Sequence, residues 1–139
     1  MIWAQVGVVG VALMAISASV MIMLMAGMEA TPSQAEHKAL ALLGAWLSPT
    51  QAEQYNSYRH FEVIGSDTGT RYRIRHGRTM NIDQLDSVGN RVCEWCFLPE
   101  GKLAAGDVML AQKIALETFE SQALAVANRS RAALGILTA

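Results

Sequence analysis

Two stretches of this chain have residue types and spacing that would support chemistry: Cys93-Glu94-Trp95-Cys96, and the arginine run from Arg71 to Arg78. A CxxC pair suits zinc or thiol–disulfide exchange. Zinc takes four ligands and the chain holds only two cysteines, so His60 and His76 would have to complete a Cys2His2 set. A redox pair belongs where a strand runs into a helix N-terminus that depresses a thiol pKa. Here the pair sits inside a β pattern, where residues three apart point to opposite faces. One cysteine packed in the core and one nearer the surface is therefore preferred over either chemistry. The arginines carry more information. On a strand, Arg71, Arg73 and Arg75 would project from one face about 6 to 7 Å apart, while Tyr72 and Ile74 enter the core. Such a ladder, with Arg78 just beyond it, suits phosphate or carboxylate. The competing structural role is a solvated face paired with Glu62 and Asp83 on neighbouring strands. Tyr72 points away from that face, so stacking on single-stranded nucleic acid is not expected.

The rest of the chain offers no nucleophile elbow, no HExxH, no P-loop and no dinucleotide fingerprint, so neither an enzymatic activity nor a cofactor is expected. A formal net charge of −1 excludes a global field favouring nucleic acid. Six of the eleven cations nevertheless fall between Arg59 and Arg91, which concentrates positive charge on the segment that carries the ladder.

The elements that must position these residues begin after an apolar run. Ile2 through Met28 holds no charge, and Glu29 is the first charged residue of the chain. A bilayer core needs about 20 apolar residues as a helix. No early Lys or Arg precedes the run, and Met28 stands where a cleavage site wants a small residue, so an uncleaved single span over 1–30 is the reading rather than a signal peptide. Lys38 is the cation near the span, against the α-amino group at the other end, which tips the C-terminal domain towards the cytoplasm.

Beyond the span, Ser33 with Glu36 forms a capping box that opens a helix with Ala35, Ala39, Leu40, Leu43, Trp46 and Leu47 on one face. Ser48-Pro49-Thr50-Gln51 opens a second, running to about Asn56. From Arg59 the period changes to two: Phe61 and Val63, Tyr72 and Ile74, Met80 and Ile82, then Val92 through Leu98. Gly65-Ser66-Asp67-Thr68-Gly69 supplies a hairpin turn, and the whole reads as an antiparallel meander of three or four strands. Asp107 caps a last helix drawn to about Arg129. Its Lys113, Glu117 and Glu120 occupy a narrow polar stripe, while Leu110, Ala111, Ile114, Ala115 and Phe119 form a wide apolar face across the sheet. The expected architecture is thus α+β: an anchor over 1–30, juxtamembrane helices over 31–58, a small α+β domain over 59–131 and a tail over 132–139.

Phe61-Glu62-Val63-Ile64-Gly65-Ser66, Tyr72-Arg73-Ile74, Asn81-Ile82, Trp95-Cys96-Phe97-Leu98-Pro99 and Gly106 through Lys113 into Ala127-Asn128 resemble a group of small bacterial and phage-encoded proteins with no assigned activity. The resemblance covers about half the chain. It implies a bacterial origin and one shared domain, and it carries no catalytic residue over. The expected function is a single-pass protein of the bacterial cell membrane that serves binding or assembly. Its partners would be the bilayer, anionic headgroups or another membrane protein, with Arg71, Arg73, Arg75 and Arg78 as anion-binding residues. The alternative is a metal-binding or thiol-active domain using Cys93 and Cys96 with His60 and His76.

Overall fold

The computed structural model describes residues 33–131, so the anchor expected over 1–30 and the tail over 132–139 lie outside the described residues. Helices α1 (Gln34–Trp46) and α2 (Pro49–Tyr58) precede four strands, β1 (His60–Ile64), β2 (Arg71–Arg75), β3 (Ile82–Leu85) and β4 (Arg91–Cys96). Helix α3 (Ala105–Val126) and strand β5 (Asn128–Arg131) follow. Each strand pairs antiparallel with the next in the order β1-β2-β3-β4-β5. The α+β class and the meander are as expected. Among the described residues no helix is long and apolar enough to cross a membrane.

The second helix starts where its chemistry dictates. Ser48 Oγ accepts the Gln51 N–H at 3.2 Å, Gln51 Oε1 accepts the Ser48 N–H at 3.1 Å, and Pro49 opens the first turn. The helix continues two residues past Asn56 and stops at Arg59, whose φ of 58° turns the chain into β1. Its glutamines then close the outer edge of the sheet: Gln51 Nε2 donates to the Glu62 carbonyl at 2.8 Å, and Gln54 Oε1 accepts the Glu62 N–H at 2.9 Å. Two side-chain amides thus occupy backbone groups that an open edge would offer to another strand.

Phe61, Val63, Tyr72, Ile74 and Ile82 form the inner sheet face and meet Met109 and Leu116 of α3, with Leu43 of α1 in the same core. The residues before position 59 and those after it therefore share one interior. Helices α1 and α3 approach closely at Gly106, where a β-carbon would stand 2.4 Å from the Ala39 carbonyl carbon. This contact lets Glu36 Oε2 accept the Ala105 N–H at 3.0 Å, so α1 caps the start of α3. Asp107, expected to be the cap, lies instead within the first turn, and Ala104 holds the cap position without a side-chain bond.

Two further expectations for α3 are corrected. The helix ends at Val126 rather than near Arg129, and Asn128–Arg131 becomes a fifth strand beside β4. The face is also different: Gln112, Lys113 and Glu120 are buried, while Ile114 and Phe119 are 40% and 53% exposed. A kink at Phe119 (φ −137°, ψ 44°) and the donors around Glu120 turn that end of the stripe inward, while Glu117 stays exposed and pairs with Lys113.

Candidate functional site

Strand alternation places Arg71, Arg73 and Arg75 on the outer sheet face, as expected. Register then brings carboxylates beside them. Glu62 sits opposite Arg73 and Asp83 on its other side, with Glu94 opposite Asp83. Glu62 spans two arginines, 2.7 Å from Arg71 Nη2 and 3.2 Å from Arg73 Nη2. Arg75 reaches Asp83 at 3.1 Å and Glu94 at 2.6 Å, and Arg91 joins Glu94 at 2.9 Å. Four guanidinium groups meet three carboxylates. Burial of Glu62 opposes its ionisation, but the Arg71 and Arg73 hydrogen bonds outweigh that and hold its carboxyl below the usual range. The ladder is therefore a clasp across β1 to β4 with little charge left over for an external anion.

Arg78 is separated from that face. It follows β2 in a turn bounded by Gly77 (φ 150°) and Met80 (φ 47°), and its Nη1 lies 3.4 Å from the Leu103 carbonyl. Met80, expected in a strand, belongs to this turn, and β3 starts at Ile82.

The four candidate metal ligands are not brought together. His60 on β1 and Cys93 on β4 have two strands between them, roughly 14 Å at ordinary strand spacing. Cys93 is buried on the inner face and shares Gln84 Oε1 with the indole of Trp95, at 3.3 and 2.9 Å. Cys96 is half-buried, on the opposite face. His76 Nδ1 lies 2.7 Å from the Tyr55 hydroxyl and 3.2 Å from Arg59 Nη2. Burial and the Arg59 charge push the His76 pKa down, so the ring is neutral at pH 7 and Nδ1 accepts. His60 stacks on Tyr58, and burial together with Arg73 lowers its pKa as well. Among the described residues no three His, Cys, Asp or Glu side chains could share a metal ion.

The sequence reading missed two buried polar devices. Glu120 Oε2 accepts the backbone N–H groups of Asp67 and Thr68, both at 2.8 Å, and Oε1 accepts the Thr68 and Tyr72 hydroxyls at 2.6 and 2.7 Å. Around the Phe119 kink the same turn repairs the helix. Ser66 N–H donates to the Leu116 carbonyl, Ser66 Oγ accepts the Glu120 N–H, and Asp67 Oδ2 accepts the Ser121 N–H. A β-carbon at Gly65 would stand 2.3 Å from the Glu120 carboxylate, so a larger residue there would have to push that carboxylate away from its donors. What reads as a plain hairpin turn is a socket for a helix. The signal available was weak: a polar five-residue turn and a glutamate that reads as part of the polar stripe.

The second device joins Asn81 to Gln112, whose amides exchange bonds of 2.8 and 2.9 Å in the core. Asn81 also donates to the Arg75 and Gly77 carbonyls, and Gln112 to that of Phe97 at 3.1 Å. Together they fix the turn after β2 against α3 and the segment after β4. Comparison of the whole chain with known protein families, with curated proteins and with solved structures finds no match.

Proposed function

We propose that this chain is a single-pass protein of the bacterial cell membrane whose small α+β domain serves binding or assembly. The observation that carries this reading is the charge-free run from Ile2 through Met28, more than the roughly 20 residues a bilayer core requires. The polar chemistry of the domain supports a structural rather than a reactive role. Glu120, Asn81 and Gln112 are taken up by internal hydrogen bonds, and the sheet arginines by Glu62, Asp83 and Glu94. Lys38, the cation that follows the run, favours a cytoplasmic domain. The partners are then the bilayer and a second membrane protein, with anionic headgroups playing a small part at the compensated ladder.

Flotation tests the anchor. Full-length chain mixed with vesicles and spun through a density gradient in high salt and urea should rise with the lipid, and residues 34–139 alone should stay at the bottom. A full-length chain that remains below the lipid as a monomer overturns the proposal.

A further inference from the structure

Arg78 and Lys102 are the cations that the carboxylates leave over at a concave site. Among the described residues neither has an acidic group within 4 Å, unlike Arg71, Arg73, Arg75, Arg91 and Lys113. Both line one cavity of about 360 Å³, together with Thr79 and the apolar side chains of Leu98, Leu103 and Val108. That volume lies at the lower end of the range for small-molecule sites. At about 30 Å³ per water it equals roughly a dozen waters, room for a ligand of about a dozen non-hydrogen atoms.

Two of the walls are held in advance. Arg78 and Thr79 stand on a turn whose Met80 takes a left-handed φ of 47°, a conformation that persists only where its surroundings enforce it. Arg75 Nη2 grips the Met80 carbonyl at 2.6 Å, and the Asn81 amide holds the Gly77 carbonyl. Through the Asn81–Gln112 exchange and the Gln112 bond to the Phe97 carbonyl, the same buried pair fixes the segment leading to Leu98. Val108 belongs to the first turn of α3 and is an apolar residue of that wall. A part-apolar hollow with two cations that no carboxylate of the described residues pairs and a hydroxyl has the chemistry of an amphipathic-anion site.

We propose that this cavity binds a phosphate monoester carrying a short apolar body. The phosphate would lie between Arg78 and Lys102 with Thr79 as a further donor, and the body against Leu98, Leu103 and Val108. A free metabolite and an anionic lipid headgroup share that chemistry. The site is independent of the anchor, because every residue in it belongs to the described domain.

The test is a backbone-amide NMR titration of the full chain with phenyl phosphate, in nanodiscs of zwitterionic lipid, or in buffer should the chain prove soluble. Resonances of Thr79, Gly101, Lys102, Leu103 and Val108 should move and saturate, while those of Gly69 and Ser87 at the far end of the sheet stay still. Arg78→Gln and Lys102→Gln should each weaken binding about tenfold, and inorganic phosphate or phenol alone should bind at least tenfold more weakly than the ester. Unchanged resonances outside the cavity show that each variant keeps its fold. Discs containing phosphatidic acid separate the sources: shifts already present before titration identify the headgroup, and an unaltered titration identifies the free ester. Resonances that do not move in zwitterionic discs, or equal binding by the double variant, overturn the proposal.

Discussion

Replacing Glu120 by Gln isolates the charge of a buried carboxylate while keeping its shape. The carboxylate accepts two backbone and two hydroxyl hydrogen bonds between 2.6 and 2.8 Å. Bonds to a charged acceptor contribute about 1.5–3 kcal/mol each against about 0.5–1.5 for neutral ones, and the new NH2 group would face hydroxyls that now donate. Those hydroxyls can rotate to accept, so the net loss should be about 2–4 kcal/mol rather than the sum of four differences. For a unit of this size that is a fall in Tm of about 10–20 °C. Burial opposes ionisation of Glu120, but the Thr68 and Tyr72 hydroxyls and the turn's N–H groups outweigh it and lower its pKa. The folded pKa is thus below the unfolded value of about 4.3, so the carboxylate's contribution is complete above that pH and is lost as pH falls through the folded value. Urea unfolding of residues 34–139, which form a compact unit of their own, followed by far-UV circular dichroism at several pH values, reads both effects. The gap between wild type and Glu120→Gln should be widest near neutrality and narrow below about pH 4. A gap under about 0.5 kcal/mol at pH 7, or one that stays constant into acid, would refute the reasoning.

Two further predictions use the same unfolding assay. Gly106→Ala should destabilise by about 2 kcal/mol or more, because its β-carbon meets Ala39 backbone rather than a movable side chain, whereas Gly44→Ala, with open space around it, should stabilise by about 0.5–1 kcal/mol. Cys93→Ser should cost about 1–2 kcal/mol and Cys96→Ser under about 0.5 kcal/mol, with Cys96 labelled by maleimide in the folded state much faster than Cys93 and zinc absent from the purified chain.

Alternation and turn chemistry made the sheet legible. Phe61, Val63, Tyr72 and Ile74 entered the core as period two requires, and the Ser48–Gln51 box marked the start of α2. The ladder was legible as a row, and its pairing with Glu62 and Asp83 follows from register, which a turn of known length constrains. Helix α3 was the weak point. Periodicity assumes that charge seeks water, but Glu120 finds three donors on the turn at Asp67 and Thr68, more than fifty residues away in sequence, and a fourth in the Tyr72 hydroxyl of β2, and no local pattern encodes that. The fifth strand was hidden for a related reason. Asn128-Arg129-Ser130-Arg131 has no apolar alternation, and it becomes a strand because β4 offers it an edge. The Arg78–Lys102 cavity joins residues from either side of two strands and lay beyond any linear motif.

The proposed membrane anchor is tested most directly by the fraction of chain that alkaline carbonate leaves in the membrane pellet, compared between the natural sequence and Ala12→Lys/Ala15→Lys. Each lysine at the centre of a span costs about 2.5–3.5 kcal/mol, so two should defeat insertion while leaving residues 34–139 untouched. The account predicts that the natural chain stays in the pellet and the double variant is released to the supernatant. Release of the natural chain, or equal retention of both, would contradict it.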